Sequence, residues 1–237
     1  NGSNGGTYSG SGEYVGYVWD AGSTFSNSAG SNGATIASSG RANTTAGISV
    51  VEYTGTGSSG SVFHGLNSVP GFIILKGKNT TDKWKILHSG AKSGSYAYYQ
   101  NVIHLNTSEA LTGTGNSYPW GGSAPTSSVF SVGNVSTEAN RSGSISSTNY
   151  LAYCFSPVDQ FSKFGRYSGN SAKNFQYTGF QPRWIMIKNL TNSNYPLYTH
   201  WAIFDTERGP SYNVNVNSLW ANVTNHEGTR GNNTTAS

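Results

Sequence analysis

The chain has 237 residues, 10% of them charged, 13% aromatic and 31 of them glycine, with a formal net charge of +4. Aromatic residues in regular blocks exclude a disordered chain, which lacks such anchors. There is no run of about 18 apolar residues to cross a bilayer, and the scattered Lys and Arg form no patch of the kind that neutralises phosphates. Neither a membrane nor a nucleic acid is therefore an expected partner.

Asn1 to Gly12 is polar and Gly-rich, unlike a basic-then-apolar signal sequence. Glu13–Asp20 reads as the first strand, and Ala21–Gly47 as a long polar loop with at most a short strand at Ala34–Ala37. Ile48–Tyr53 alternates, with Ile48 and Val50 on one side and Ser49, Val51 and Tyr53 on the other. Thr54–Gly60 is a turn before Val62–His64.

Gly65 to Lys76 then presents a glycine, an apolar residue, a turn to Pro70, and the run Phe72-Ile73-Ile74-Leu75. Proline fixes φ and lacks a donor, so it suits a strand's first residue or the turn before it. The run is too short and too β-branched for a helix and reads as a strand buried on both faces, with Lys76 marking its return to water. Asn79–Asp82 turns the chain into a hairpin with Lys83–His88. Ser95–Asn106, rich in tyrosine, reads as a strand. Leu111–Thr126 is a loop, Ser127–Val132 a strand, and Asn149–Phe155 another.

The second half repeats the first. Gly179-Phe180-Gln181-Pro182-Arg183-Trp184-Ile185-Met186-Ile187-Lys188 restates the turn and strand around Phe72. Tyr14–Trp19 matches Tyr150–Phe155, Ile48–Gly55 matches Phe161–Gly169, and Trp84–His88 matches Trp201–Asp205. Four aromatic-anchored blocks in one order make an internal duplication. By its phase, 1–19 is the end of a unit, 20–155 a complete unit, and 156–237 the start of a second. Phe72, Trp184, Tyr17 and Tyr153 are the expected core anchors. Helical periodicity is absent over any three turns. Closely spaced strands with Gly/Asn turns predict an all-β protein of two related β-sandwich or jelly-roll-like units.

Chemistry-bearing residues are sparse. His64, His88, His104, His200 and His226 share no metal-ligand spacing, so no metal or other cofactor is expected; His64, before a turn glycine, suits bonding to loop backbone. Asp205 and Glu207 are the one close acidic pair. A glycosidase needs two carboxylates facing across about 5–10 Å, whereas here an ion pair with Arg208 at a solvated strand end accounts for them. No catalytic residue is assigned. Cys154, the single cysteine, sits in an apolar strand pattern and reads as a small buried hydrophobe. Tyr96, Tyr98, Tyr118 and Trp120, with Tyr99, form the best binding signal, since aromatic faces stack on sugar rings; filling a core is the competing role.

Ala42-Asn43-Thr44-Thr45-Ala46-Gly47-Ile48-Ser49-Val50-Val51, His64-Gly65-Leu66, Ala124-Pro125-Thr126-Ser127-Ser128-Val129-Phe130 and Tyr150–Phe155 with Phe161-Ser162-Lys163-Phe164-Gly165 resemble a repeat family in structural proteins of tailed bacteriophages, described as tail or tail-fibre proteins. The resemblance implies an extracellular virion setting. Its expected partners are other copies of the chain, other virion proteins and host-surface polysaccharide, and it carries no catalytic residues to transfer. A secreted carbohydrate-binding module or a polysaccharide depolymerase is the alternative. Because partial units leave unpaired strand edges, 1–19 is expected to complete the second unit, within the chain or in a neighbouring copy, with the oligomer favoured.

Overall fold

A computed structural model describes residues 15–113, 119–134, 139–141, 148–170, 174–191, 199–208, 217–223 and 228–229. Its first strands come from polar sequence. Ser23–Asn27 (β1) and Ser38–Asn43 (β2) pair antiparallel, inside the stretch read as loop. They sit at the sheet's edge with much of their surface in water, so they show no apolar alternation. Glu13–Asp20 does the reverse: its described part, from Val15 onward, forms no strand. Between β1 and β2, Ile36 makes an isolated parallel bridge to Val62.

Ile48–Thr54 (β3) keeps its predicted faces, and Gly60–Phe63 (β4) follows. The repeated run forms Phe72–Gly77 (β5), with Lys85–His88 (β6) as its hairpin partner. Of the tyrosine-rich stretch only Asn101–His104 (β7) is strand; Tyr98–Gln100 is a 3-10 turn. Thr112–Gly113 (β8), Val129–Val132 (β9) and Asn149–Phe155 (β10) complete the first half. Trp184–Lys188 (β11), Trp201–Asp205 (β12), Asn217–Trp220 (β13) and Gly228–Thr229 (β14) make the second. Phe161–Gly169, expected to restate β3, forms no strand; Ser162 makes only an isolated bridge to Val158.

The fold is all-β. One antiparallel sheet runs β1-β2-β3-β10-β5-β6-β7-β8, a second runs β11-β12-β13-β14, and β4 pairs with β9 as a ribbon. β10 joins two meanders by pairing with both β3 and β5. Period-2 alternation sends side chains to two separate cores. Val51, Ile73, Leu75, Leu87, Ala152 and Cys154 pack under the ribbon residues Val62, Phe130 and Val132. On the opposite face, Phe72, Ile86 and Ile103 pack with Trp201 and Met186 of the second sheet. β5 is therefore covered on both faces, as its sequence predicts. The layers are ribbon, large sheet and small sheet, packed through the two cores.

The duplication is legible bond by bond. Phe72 pairs with His88 and Ile74 with Ile86; at the equivalent places Trp184 pairs with Asp205 and Met186 with Ile203. The Leu105 amide donates to Trp84 C=O, and the Ala221 amide to Trp201 C=O. Asn106 Oδ1 accepts from the Trp84 amide at 3.0 Å and Asn222 Oδ1 from the Trp201 amide at 3.1 Å. Gly65 and Gly179 both adopt positive φ, +74° and +89°, where a Cβ would strain the chain. β5 to β8 thus correspond to β11 to β14. Lys76 and Lys188 also match, but neither simply returns its strand to water: Lys76 donates to Asp82 C=O and Lys188 to Thr199 C=O, closing their hairpin loops.

Candidate functional site

Where the two sheets meet, aromatic side chains form a continuous strip. Phe164 stacks on Phe72 at 5.8 Å, Phe72 meets Phe155 at 5.7 Å, Phe155 meets Trp19 at 6.3 Å, and Trp19 meets Trp184 at 6.0 Å. Tyr17 closes the strip at 6.1 Å from Trp184. Of the expected core anchors, only Phe72 is buried. Trp184, Tyr17 and Tyr153 are half-buried: no layer like the β4–β9 ribbon covers the second sheet around Trp184 among the described residues, and Tyr153 lies on the face of β10 away from that ribbon.

Among the described residues, β11 is the outer strand of its sheet. Its counterpart β5 is flanked on that side by β10. Val15–Asp20, whose Val15–Trp19 part belongs to the block that matches β10 in sequence, lies beside β11 without pairing to it. Tyr17 OH donates to Asp205 Oδ2 at 2.6 Å, and Arg208 Nε donates to the same oxygen at 2.5 Å. Asp205 Oδ1 accepts from the amides of Glu207 and Arg208. Burial pushes the Asp205 carboxyl up, and the donors from Tyr17 and Arg208 outweigh it, holding the group below the usual carboxylate range. Asp205 is buried while Glu207 is exposed. The ion pair foreseen with Arg208 is present, but inside the protein and not at a solvated strand end. Asp205 accepts from Tyr17, Arg208 and the Glu207 amide, and its geometry is that of a clasp joining Tyr17 to the second sheet.

The residues read as a glycan surface do not come together as one. Trp120 is 0% exposed and belongs to the ribbon-side core; a fully covered ring cannot stack on a sugar, so Trp120 is removed from that surface. Tyr98 and Tyr99 are half-buried, 5.3 Å apart edge to face, and pack against the same core. Tyr96 is exposed. Tyr118 lies outside the described residues. The sequence signal for Trp120 is its aromatic ring alone, in a stretch that reads as loop, and nothing local says which layer covers it.

His64 plays the role its turn position implies. The Leu66 amide donates to Nδ1 at 3.2 Å, so Nε2 carries the proton and donates to Thr126 C=O at 3.1 Å. Burial lowers its pKa to about 4. His88 Nδ1 accepts from the Gly90 amide at 2.9 Å. His226 lies outside the described residues. Among the described residues, no three His, Cys, Asp or Glu gather where a metal ion would be held. Cys154 is buried, and burial pushes its thiol up to about 12, the behaviour of a packed hydrophobe.

A family model described as a domain of unknown function, DUF7483, matches residues 1–236. The chain belongs to the DUF7483 family. No curated protein and no solved structure matches it. In this DUF7483 member the aromatic strip lies beside β11, the outer strand of the second sheet among the described residues.

Proposed function

We propose that this DUF7483 protein is a structural subunit of a tailed-phage particle, a tail fibre or tail-associated component, located on the virion. Its work is to join other copies of itself or other virion proteins. The setting rests on the sequence blocks that resemble phage tail proteins. The observation that supports the joining role is β11: a strand whose twin, β5, is paired on both sides stands at the end of its own sheet. Strand edges template further strands. Immunogold labelling of purified native particles tests the setting. Label along a fibre or tail is the expected result; a protein recovered only outside particles would overturn it.

A second reading concerns host-surface polysaccharide, and also covers a secreted carbohydrate-binding module. Exposed Tyr96 beside the half-buried Tyr98–Tyr99 pair favours it. Glycan-array binding that disappears with Tyr96→Ala is the expected outcome. Reducing ends released from host polysaccharide would instead establish a depolymerase.

A further inference from the structure

β10 lies on β5 with Phe155 opposite Phe72, Cys154 opposite Ile73, and Tyr153 opposite Ile74. Carrying that register to the second unit sets Trp19 opposite Trp184, Val18 opposite Ile185, and Tyr17 opposite Met186. Part of this arrangement already exists. The Trp19–Trp184 ring separation of 6.0 Å nearly equals the 5.7 Å of Phe155–Phe72. The remainder is missing: Val18 is 94% and Ile185 40% exposed, while their counterparts Cys154 and Ile73 are both 0% exposed.

The tether explains the incomplete fit. The same register sets Asp20 opposite Arg183, two opposite charges. In its own copy, however, Asp20 is held at the end of β2, where Asn43 Nδ2 donates to its backbone carbonyl at 3.2 Å. Arg41 also donates to Gly22 C=O, and Gly22 has φ +69°. The segment therefore meets β11 at Trp19 and Tyr17 but cannot slide into the ladder. Nothing in the contacts of Tyr17 and Trp19 requires β11 to come from the same copy.

We propose that the outer edge of β11 is a strand-acceptor site, and that its occupant is the Val15–Asp20 segment of a second copy, antiparallel, with Trp19 against Trp184 and Asp20 against Arg183. The donated strand buries Val18 beside Ile185 and supplies the ladder that β10 supplies to β5. One copy gives its segment to the next, so the contact is head-to-tail and closes into a ring or extends as a filament. This inference rests on the reading of the protein as an assembling subunit.

The test uses two single substitutions in the full chain, Val18→Cys and Ile185→Cys, mixed and oxidised. Opposed residues bring their Cβ atoms to about 4.5–5.5 Å, close enough for a disulfide with slight adjustment; Cys154 is buried and takes no part. A mixed disulfide between the two variant chains is expected, with little from Val18→Cys mixed with Ile187→Cys. If the mixture yields no mixed disulfide, the inference is overturned, whether or not a doubly substituted chain links to itself. Sedimentation of the unsubstituted chain provides a check independent of cysteine chemistry. An oligomer that dissociates in Tyr17→Ala/Trp19→Ala is expected, and a monomer at working concentration overturns the inference. Immunogold location on the particle does not depend on either result, so failure here leaves the virion setting to be judged separately.

Discussion

His88 and Asp205 end equivalent strands and cap them in the same way. His88 Nδ1 accepts from the Gly90 amide at 2.9 Å, and Asp205 Oδ1 from the Glu207 amide at 3.0 Å. Each takes the backbone donor two residues ahead as the chain turns away from its strand. An imidazole and a carboxylate are both short, planar acceptors, so the turn survives the exchange. Their other contacts diverge. His88 faces Phe72 and Phe164, whereas Asp205 holds Tyr17 and Arg208. The duplicated cap has acquired a charge, and with it a clasp on the segment before β1.

Asp205→Asn retains an acceptor for the turn but removes the charge facing Arg208, whose side chain is 10% exposed. Removing one partner of a buried ion pair costs about 3 kcal/mol. Urea unfolding followed by tryptophan fluorescence should show a loss near that size. A loss under about 0.5 kcal/mol, the scale of an ordinary surface change, would mean that the pair is not a stabilising contact.

Stability should depend on pH through His64. Its pKa is about 4 in the folded protein against about 6.5 unfolded. Between these values the unfolded chain binds more protons, so stability is full above about pH 6.5 and falls as pH drops toward 4, by roughly 3 kcal/mol in all. In His64→Gln, which removes the titrating group, the slope of stability against pH in that window should flatten. An unchanged slope would assign the acid sensitivity elsewhere.

Phe72 and Trp184 occupy equivalent positions with unequal cover, Phe72 at 8% exposure and Trp184 half-buried. Phe72→Ala should cost about 3–5 kcal/mol. Trp184→Ala should cost clearly less, because part of its ring is already wet. Equal losses in denaturant melts would show that the second sheet is packed as tightly as the first.

Trp120 and Tyr96 separate packing from binding. Trp120→Ala should destabilise by about 3–5 kcal/mol, while Tyr96→Ala should stay within about 0.5 kcal/mol of the parent. Thermal unfolding of both variants checks this. A Trp120→Ala protein of parental stability would contradict its place in the ribbon-side core.

The sequence by itself determined the strands whose pattern is local. Ile48–Tyr53 alternates, Phe72–Leu75 and Tyr150–Phe155 are short continuous apolar runs, and each is a strand. It also determined the duplication, because ordered blocks need no structure to be matched, and the role of His64, because a histidine before a turn glycine has backbone donors within reach. Tertiary structure decided what depends on distant neighbours. β1 and β2 are polar in sequence and become strands at a sheet edge because β2 pairs with β3 and β1 with β2. Val15–Trp19 has the pattern of β10 yet forms no ladder, and Asp20 at its end accepts a hydrogen bond from Asn43 at the end of β2. Trp120 and Tyr96 look alike along the chain, but the β4–β9 layer covers one and leaves the other in water. Alternation tells which residues share a face; which face another layer covers is settled only when residues far apart in sequence pack together.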